Sequence, residues 1–180
     1  MTQKYILTAF CKDRPGIVAD ITQVIYENNC NLQESSMMTL SGEFGIILLF
    51  SPLSGDANRD LLDRLSNECR RLERERGITA FIRPIDDTAP AVASATVPKK
   101  IRVEGMDQAG IAYKVSRYLA DKNINIRTLN SEIIPSPESG GAIYRMVIEI
   151  DFPIEMAPKT IIDGLNEIGE ALHVDVIFEA

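Results

Sequence analysis

Apolar side chains at Ile17, Ile21, Val24 and Ile25 fall at i, i+4, i+7 and i+8, the stripe of one helix face. Ahead of them, Tyr5 to Phe10 is short, rich in β-formers and stopped by the charged Lys12-Asp13, so it reads as a strand. Asp13 is a candidate N-cap, Pro15 suits a first helical turn, and Asn28-Asn29 closes the helix. Residues 31–40 and 44–51 read as two strands around the turn Ser41-Gly42-Glu43. The unbroken apolar run Ile46 to Phe50 suggests a buried central strand. A second helix spans Asp56 to about Gly77, with Leu61, Leu65, Cys69 and Leu72 inward. Its other faces mix arginines with acids, as in Asp60 and Arg64, which is the pattern of a solvated surface. Gly77 stops it, and Ile78 to Ile82 forms a fourth strand. The order β-α-β-β-α-β defines an α+β fold of the ferredoxin-like, split-βαβ type.

The whole pattern then restarts. Asp13-Arg14-Pro15-Gly16-Ile17 recurs as Asp107-Gln108-Ala109-Gly110-Ile111, and Asn29-Cys30-Asn31 recurs at the same offset as Asn123-Ile124-Asn125. Ile17, Ile21, Val24 and Ile25 are matched by Ile111, Val115, Tyr118 and Leu119. Strands follow near 101–103, 126–134, 142–150 and 174–178, with helices over 110–122 and 158–172. Ile161, Leu165, Ile168 and Leu172 face inward on the last helix. A fixed register over two polar brackets and four apolar positions marks an internal duplication. The expected organisation is a first domain over 1–85, a Pro-, Ser- and Ala-rich linker over 86–97 and a second domain over 98–180. The second hairpin loop, 135–141, is longer than the first.

Composition narrows the function. The net charge is −7, with the acidic excess concentrated in the second half. A nucleic-acid binder must neutralise phosphates, so direct DNA or RNA binding is not expected. The chain has 3 cysteines and one histidine, His173, without metal-ligand spacing, and no metal, cofactor or disulfide framework is expected. Buried thiols and a cytoplasmic setting fit that usage. The apolar run at Tyr5–Cys11 is too short for a membrane span.

Each copy places a glycine where a strand hands over to a helix. Gly16 and Gly110 lack a side chain, so a small ligand can approach the backbone there. The first N–H groups of the following helix have no helical partner and carry partial positive charge, suited to a carboxylate. Asp13 or Asp107 can accept from an ammonium, and Asn31 or Asn125 offers both donor and acceptor. The set suits a zwitterion the size of an amino acid. Each residue also has a structural use: Asp13 as a cap, Gly16 for close helix–sheet packing, the asparagines in turns.

Asp-Arg-Pro-Gly-Ile-Val at 13–18 followed by Asn-x-Asn at 29–31, inside βαββαβ, resembles the ACT domain family. The second half resembles the same domain, so the chain looks like two ACT-like domains in tandem. A tandem pair without an attached enzyme resembles the glycine cleavage system transcriptional repressors. The resemblance implies a non-catalytic regulatory protein that binds a small amino acid, glycine favoured, between two copies of the domain. It also implies control of a protein partner such as a transcription factor, and a homo-oligomer, dimeric in the simplest case. Matched residue by residue, the ligand-binding positions are Asp13, Gly16, Ile17 and Asn31, then Asp107, Gly110, Ile111 and Asn125. Pro15 and Arg14 have no counterpart at Ala109 and Gln108, so the first loop is expected to be stiffer and the better carboxylate trap.

Two alternatives share the topology. An RNA-recognition module would need basic character and exposed aromatics on its central strands. An enzyme of acylphosphatase-like topology would need a phosphate-binding arginine loop, and Arg14 stands alone. No nucleophile–base pair is readable, and Cys11, at a strand end, is better placed for burial than for reaction.

Overall fold

The computed structural model describes residues 3–53, 59–85, 95–135 and 141–179. The chain divides into two compact units, Met1–Ala89 and Pro90–Ala180. The first holds β1 (Lys4–Lys12), α1 (Ile17–Glu27), β2 (Cys30–Leu40), β3 (Glu43–Pro52), α2 (Arg59–Arg76) and β4 (Thr79–Ile85). The second repeats the order with β5 (Thr96–Met106), α3 (Ile111–Asp121), β6 (Asn125–Pro135), β7 (Ala142–Pro153), α4 (Pro158–Leu172) and β8 (Val174–Glu179). Both sheets are antiparallel, in the orders β2-β3-β1-β4 and β6-β7-β5-β8. This is the ferredoxin-like βαββαβ arrangement, twice. The expected start of the second helix at Asp56 and most of the 86–97 segment lie outside the described residues. Thr96 and Val97, placed in the linker by composition, pair with Pro153 and Phe152 as the start of β5.

Each unit closes its core on one side of its sheet. Tyr5, Leu7, Ala9 and Cys11 of β1 point to that side with Phe44, Ile46, Leu48 and Phe50 of β3. Ile17, Ile21, Val24 and Ile25 of α1 and Leu61, Leu65, Cys69 and Leu72 of α2 fill it. The unbroken apolar run in β3 is therefore not buried throughout. The strand is central, but Ile47 is 51% exposed between fully buried neighbours, because strand side chains alternate faces and only one face is covered.

Local chemistry departs from expectation at three points. Helix α1 begins at Ile17 with Gly16 as N-cap and no side-chain cap, so Asp13 is not the cap. On α4, Ile168 is only partly buried and Gly169 takes the inward place. A Cβ there would stand 2.7 Å from the Val174 carbonyl oxygen, so the glycine lets α4 seat on β8. On α2, Arg71 pairs with Glu68 at 2.7 Å and with Glu27 of α1 at 3.9 Å, while Asp60 and Arg64 do not pair. The first hairpin turns through Ser41 and Gly42, both at positive φ (51° and 78°), which matches the strand twist.

Cys11, Cys30 and Cys69 are all buried and unpaired. Burial pushes the Cys69 thiol up to about 11, with the neighbouring Glu68 charge adding to it. The folded unit thus holds a proton that the unfolded chain releases earlier. This term is constant below the ordinary thiol range and is lost as pH rises from about 9 to about 11. Urea unfolding should shift to a lower midpoint between pH 8 and pH 10.5, and Cys69→Ala should show a smaller shift than the native chain.

Candidate functional site

The two glycine loops are built alike. Gly16 caps α1 at φ 92° and ψ −8°, and Gly110 caps α3 at φ 98° and ψ −4°. This left-handed geometry costs an L side chain about 1–2 kcal/mol, which by itself favours glycine at both positions. Each carbonyl accepts the first helical hydrogen bond, from Asp20 N–H and Lys114 N–H, both at 2.9 Å. The loops are also tied to the neighbouring hairpins. Asp13 N–H donates to the Gly42 carbonyl at 2.9 Å, and Asp107 N–H donates to the Ala142 carbonyl at 3.0 Å. Both aspartate side chains are exposed. Ile17 and Ile111 are 2% and 1% exposed core residues, so only their backbone faces the loop.

The asparagines stand elsewhere. Asn31 and Asn125 open β2 and β6, beyond the far end of the helix that each loop begins. Eleven helical residues separate the two ends, roughly 16 Å of rise. Within one unit the structure sets loop and asparagine at opposite ends of the helix. The helix–strand turn is instead held by Asn29 and Asn123, both left-handed at φ 53° and 56°. A register shift follows each Asn, between Leu32 and Glu34 and between Ile126 and Thr128, and it re-aims the start of the edge strand. Asn31 borders a shallow depression of about 450 Å³ with Thr22, Gln23, Tyr26 and Leu32.

The copies differ most at these asparagines. Asn125 donates its amide to the Asp151 carboxylate at 3.0 Å, and Arg127 pairs with the same carboxylate at 2.6 Å. The Asn125 hydrogen bond first, then Arg127, holds the Asp151 carboxyl below the usual range. In the first unit the position opposite Asn31 is Ser51, whose hydroxyl accepts from Gln33 at 3.1 Å. Among the described residues the exposed Asn31 amide has no such anion as a partner. The pairing of Asn125 with Asp151 crosses the open end of the β6–β7 hairpin, and the repeat alone gave no sign of it.

The loops differ in the opposite sense. Arg14 pairs with Asp20 at 2.8 Å and donates to the Pro15 carbonyl at 3.2 Å. Its guanidinium lies across the space a Gly16 side chain would fill, 3.7 Å from the Cβ position. The positive charge assigned to this loop is therefore partly matched by Asp20, which Arg76 shares at 3.6 Å. Around Gly110 nothing lies within 4 Å, and Gln108 donates to the Leu172 carbonyl at the end of α4. Gly105, standing where the first unit has Cys11, is needed for packing: a Cβ would meet Val174 at 2.6 Å. Burial raises the Cys11 thiol against the pull of Arg14, so this thiol is disfavoured as a nucleophile. His173 is the left-handed C-cap of α4. Among the described residues no group of acids, histidines and cysteines could hold a metal ion, and no helix is long and apolar enough to cross a membrane.

The described residues form a βαββαβ unit twice over, each with a first helix that starts at a left-handed glycine. Residues 3–81 match the ACT domain family, and the second unit repeats the fold of the first. Over 171 residues it is 27% identical to the glycine cleavage system transcriptional repressor of Escherichia coli, covering 91% of this chain and 86% of that one. A UPF0237 protein of Methanopyrus kandleri is 28% identical over 81 residues, 45% of this chain and 87% of its own. Among solved structures, a Galdieria sulphuraria protein of unknown function superposes with a TM-score of 0.78 at 27% identity, covering 99% and 98% of the two chains. The structure of a candidate glycine cleavage system transcriptional repressor gives 0.69 at 17% identity over 99% and 97%, which shows the shared fold.

Two measurements check this geometry. Gly110→Ala should cost about 1–2 kcal/mol in urea unfolding from backbone strain, since the space around it is open. The Asp151 carboxyl, followed by NMR, should titrate below an ordinary exposed aspartate and move upward in Asn125→Ala.

Proposed function

We propose that the chain is a non-catalytic regulator that senses a small amino acid, glycine favoured, and passes the signal to a protein partner in transcriptional control of amino-acid metabolism. The ligand's carboxylate meets the N–H groups at a glycine-capped helix start, and its ammonium meets Asp13 or Asp107. An asparagine from a second copy of the module completes the clamp, because loop and asparagine of one module lie at opposite ends of a helix. Ile17 and Ile111 contribute through their backbone only. The likeness to the E. coli repressor along nearly the whole chain supports the regulatory reading. The observation that carries it is the pair of left-handed glycine caps, each with an exposed aspartate three residues earlier. The acylphosphatase-like alternative is weakened by the pairing of Arg14 with Asp20.

Asn31 is the asparagine committed to ligand. Using Asn125 would mean breaking its bond to Asp151 and holding a carboxylate beside an anion. The expected asymmetry between copies thus stands on this pairing more than on the stiffness of Pro15. Calorimetric titration with each of the twenty amino acids should find a small one that binds, glycine first. Asn31→Ala should weaken that binding by about 1–3 kcal/mol, while Asn125→Ala should change it little. Absence of heat with every amino acid at millimolar concentration, or an equal loss from both variants, would count against the proposal.

A further inference from the structure

The two units carry the same core but opposite outer sheet faces. In the first, the uncovered face presents Ile6, Thr8 and Phe10 from β1, Ile47 and Leu49 from β3, Phe81 from β4 and Met38 from β2. Phe10 is 51% exposed, Ile47 51%, Phe81 62% and Met38 57%. Phe10 and Phe81 lie with ring centroids 6.2 Å apart, and the Met38 side chain leans over Gly45. In the second unit the registers place Lys100, Arg102 and Glu104 where the first has Ile6, Thr8 and Phe10, and Arg145 and Glu149 where it has Gly45 and Leu49, while Val147 and Ile177 keep the positions of Ile47 and Phe81 apolar. Those charges neutralise one another: Arg145 with Glu104 at 3.0 Å and with Glu132 at 3.4 Å, Arg102 with Glu179 at 2.5 Å.

This contrast is an internal control. The second unit folds with a charged outer face, so folding does not require the apolar set on the first. A contiguous patch of this kind marks an interaction surface. Partly exposed aromatics contribute about 100 Å² each, and with the aliphatic members the patch reaches roughly 400–500 Å². Two such patches facing each other remove roughly 800–1,000 Å² from water before any rim is counted, and the rim carries the total past the roughly 1,000 Å² of a specific interface.

We infer that the outer sheet face of the first unit packs against the same face of a second copy of this chain, sheet to sheet. A polar partner would leave the apolar set uncompensated. A charged face like that of the second unit would lose water from paired ions without gaining hydrogen bonds. A nearly uncharged apolar surface is complementary to itself, and a two-fold axis through the sheet satisfies both copies at once. Two antiparallel sheets stack in this way about 10 Å apart. Lys12 with Glu43, Glu34 and Arg83 stand toward the edges of the patch, where a polar rim belongs.

The test uses the full chain. Sedimentation should show a dimer, twice the 20.0 kDa chain mass. Phe10→Glu combined with Ile47→Lys should shift it to monomer, by at least a hundredfold in dissociation constant, with circular dichroism unchanged. Glu104, standing where the first unit has Phe10, indicates that the fold accepts a charge there, and Ile47 is already 51% exposed. Should that variant fail to fold, hydroxyl-radical footprinting of the native chain decides. Phe10, Phe81 and Met38 should be protected at high concentration and exposed on dilution. A native monomer at all concentrations, or a dimer indifferent to the substitutions, overturns the inference. So does protection independent of concentration, which would mean that the face is covered within one chain. Capture of a polyuridine oligonucleotide by the native monomer, abolished by the double variant, would assign the aromatics to RNA instead and equally overturn it.

Discussion

Side chains on a strand alternate between two faces, and in each half of this chain the core lies on one face only. That geometry dictates what every second strand residue can be. The covered positions of β1 and β3 must be apolar and sized to meet α1 and α2, and they are similar in both units. The uncovered positions are free of that demand. They are where the halves diverge, into Thr8, Phe10 and Gly45 on one side of the duplication and Arg102, Glu104 and Arg145 on the other.

The loops obey a second, local constraint. A strand that ends and turns back over its own sheet as a helix must reverse within a few residues. Both copies do so through a left-handed glycine, with the preceding aspartate's backbone tied to the adjacent hairpin. The Asp-x-x-Gly repeat is therefore scaffolding whatever else it does. The binding role proposed for it rests on what surrounds it: helix-start N–H groups without helical partners, exposed carboxylates and, at Gly110, room for a side chain.

Periodicity revealed the helices, most of the strands and the duplication, because those depend on spacing within a segment. It misjudged β3, since a run of five apolar residues looks the same whether one face or two are buried. It placed the helix cap at Asp13, because side-chain capping statistics compete with the glycine alternative and only backbone dihedrals separate them. The site was legible as residues but not as geometry. The helix read between Gly16 and Asn31 already implies their separation, but nothing in the linear order shows that Asn125 is engaged by Asp151 across a strand pair. The two exposed phenylalanines belong to strands distant in sequence and become a pair only through the β1–β4 register.

The distribution of thiols has a use of its own. All the cysteines of the chain lie in the core of the first unit, and the second has none. A thiol reagent in solution reaches them only when that unit opens. The labelling rate is therefore a native clock for the opening of one half, readable in the intact protein without an introduced probe. Cys30, at the start of β2, and Cys69, in the middle of α2, would distinguish fraying at the strand start from loss of the helix.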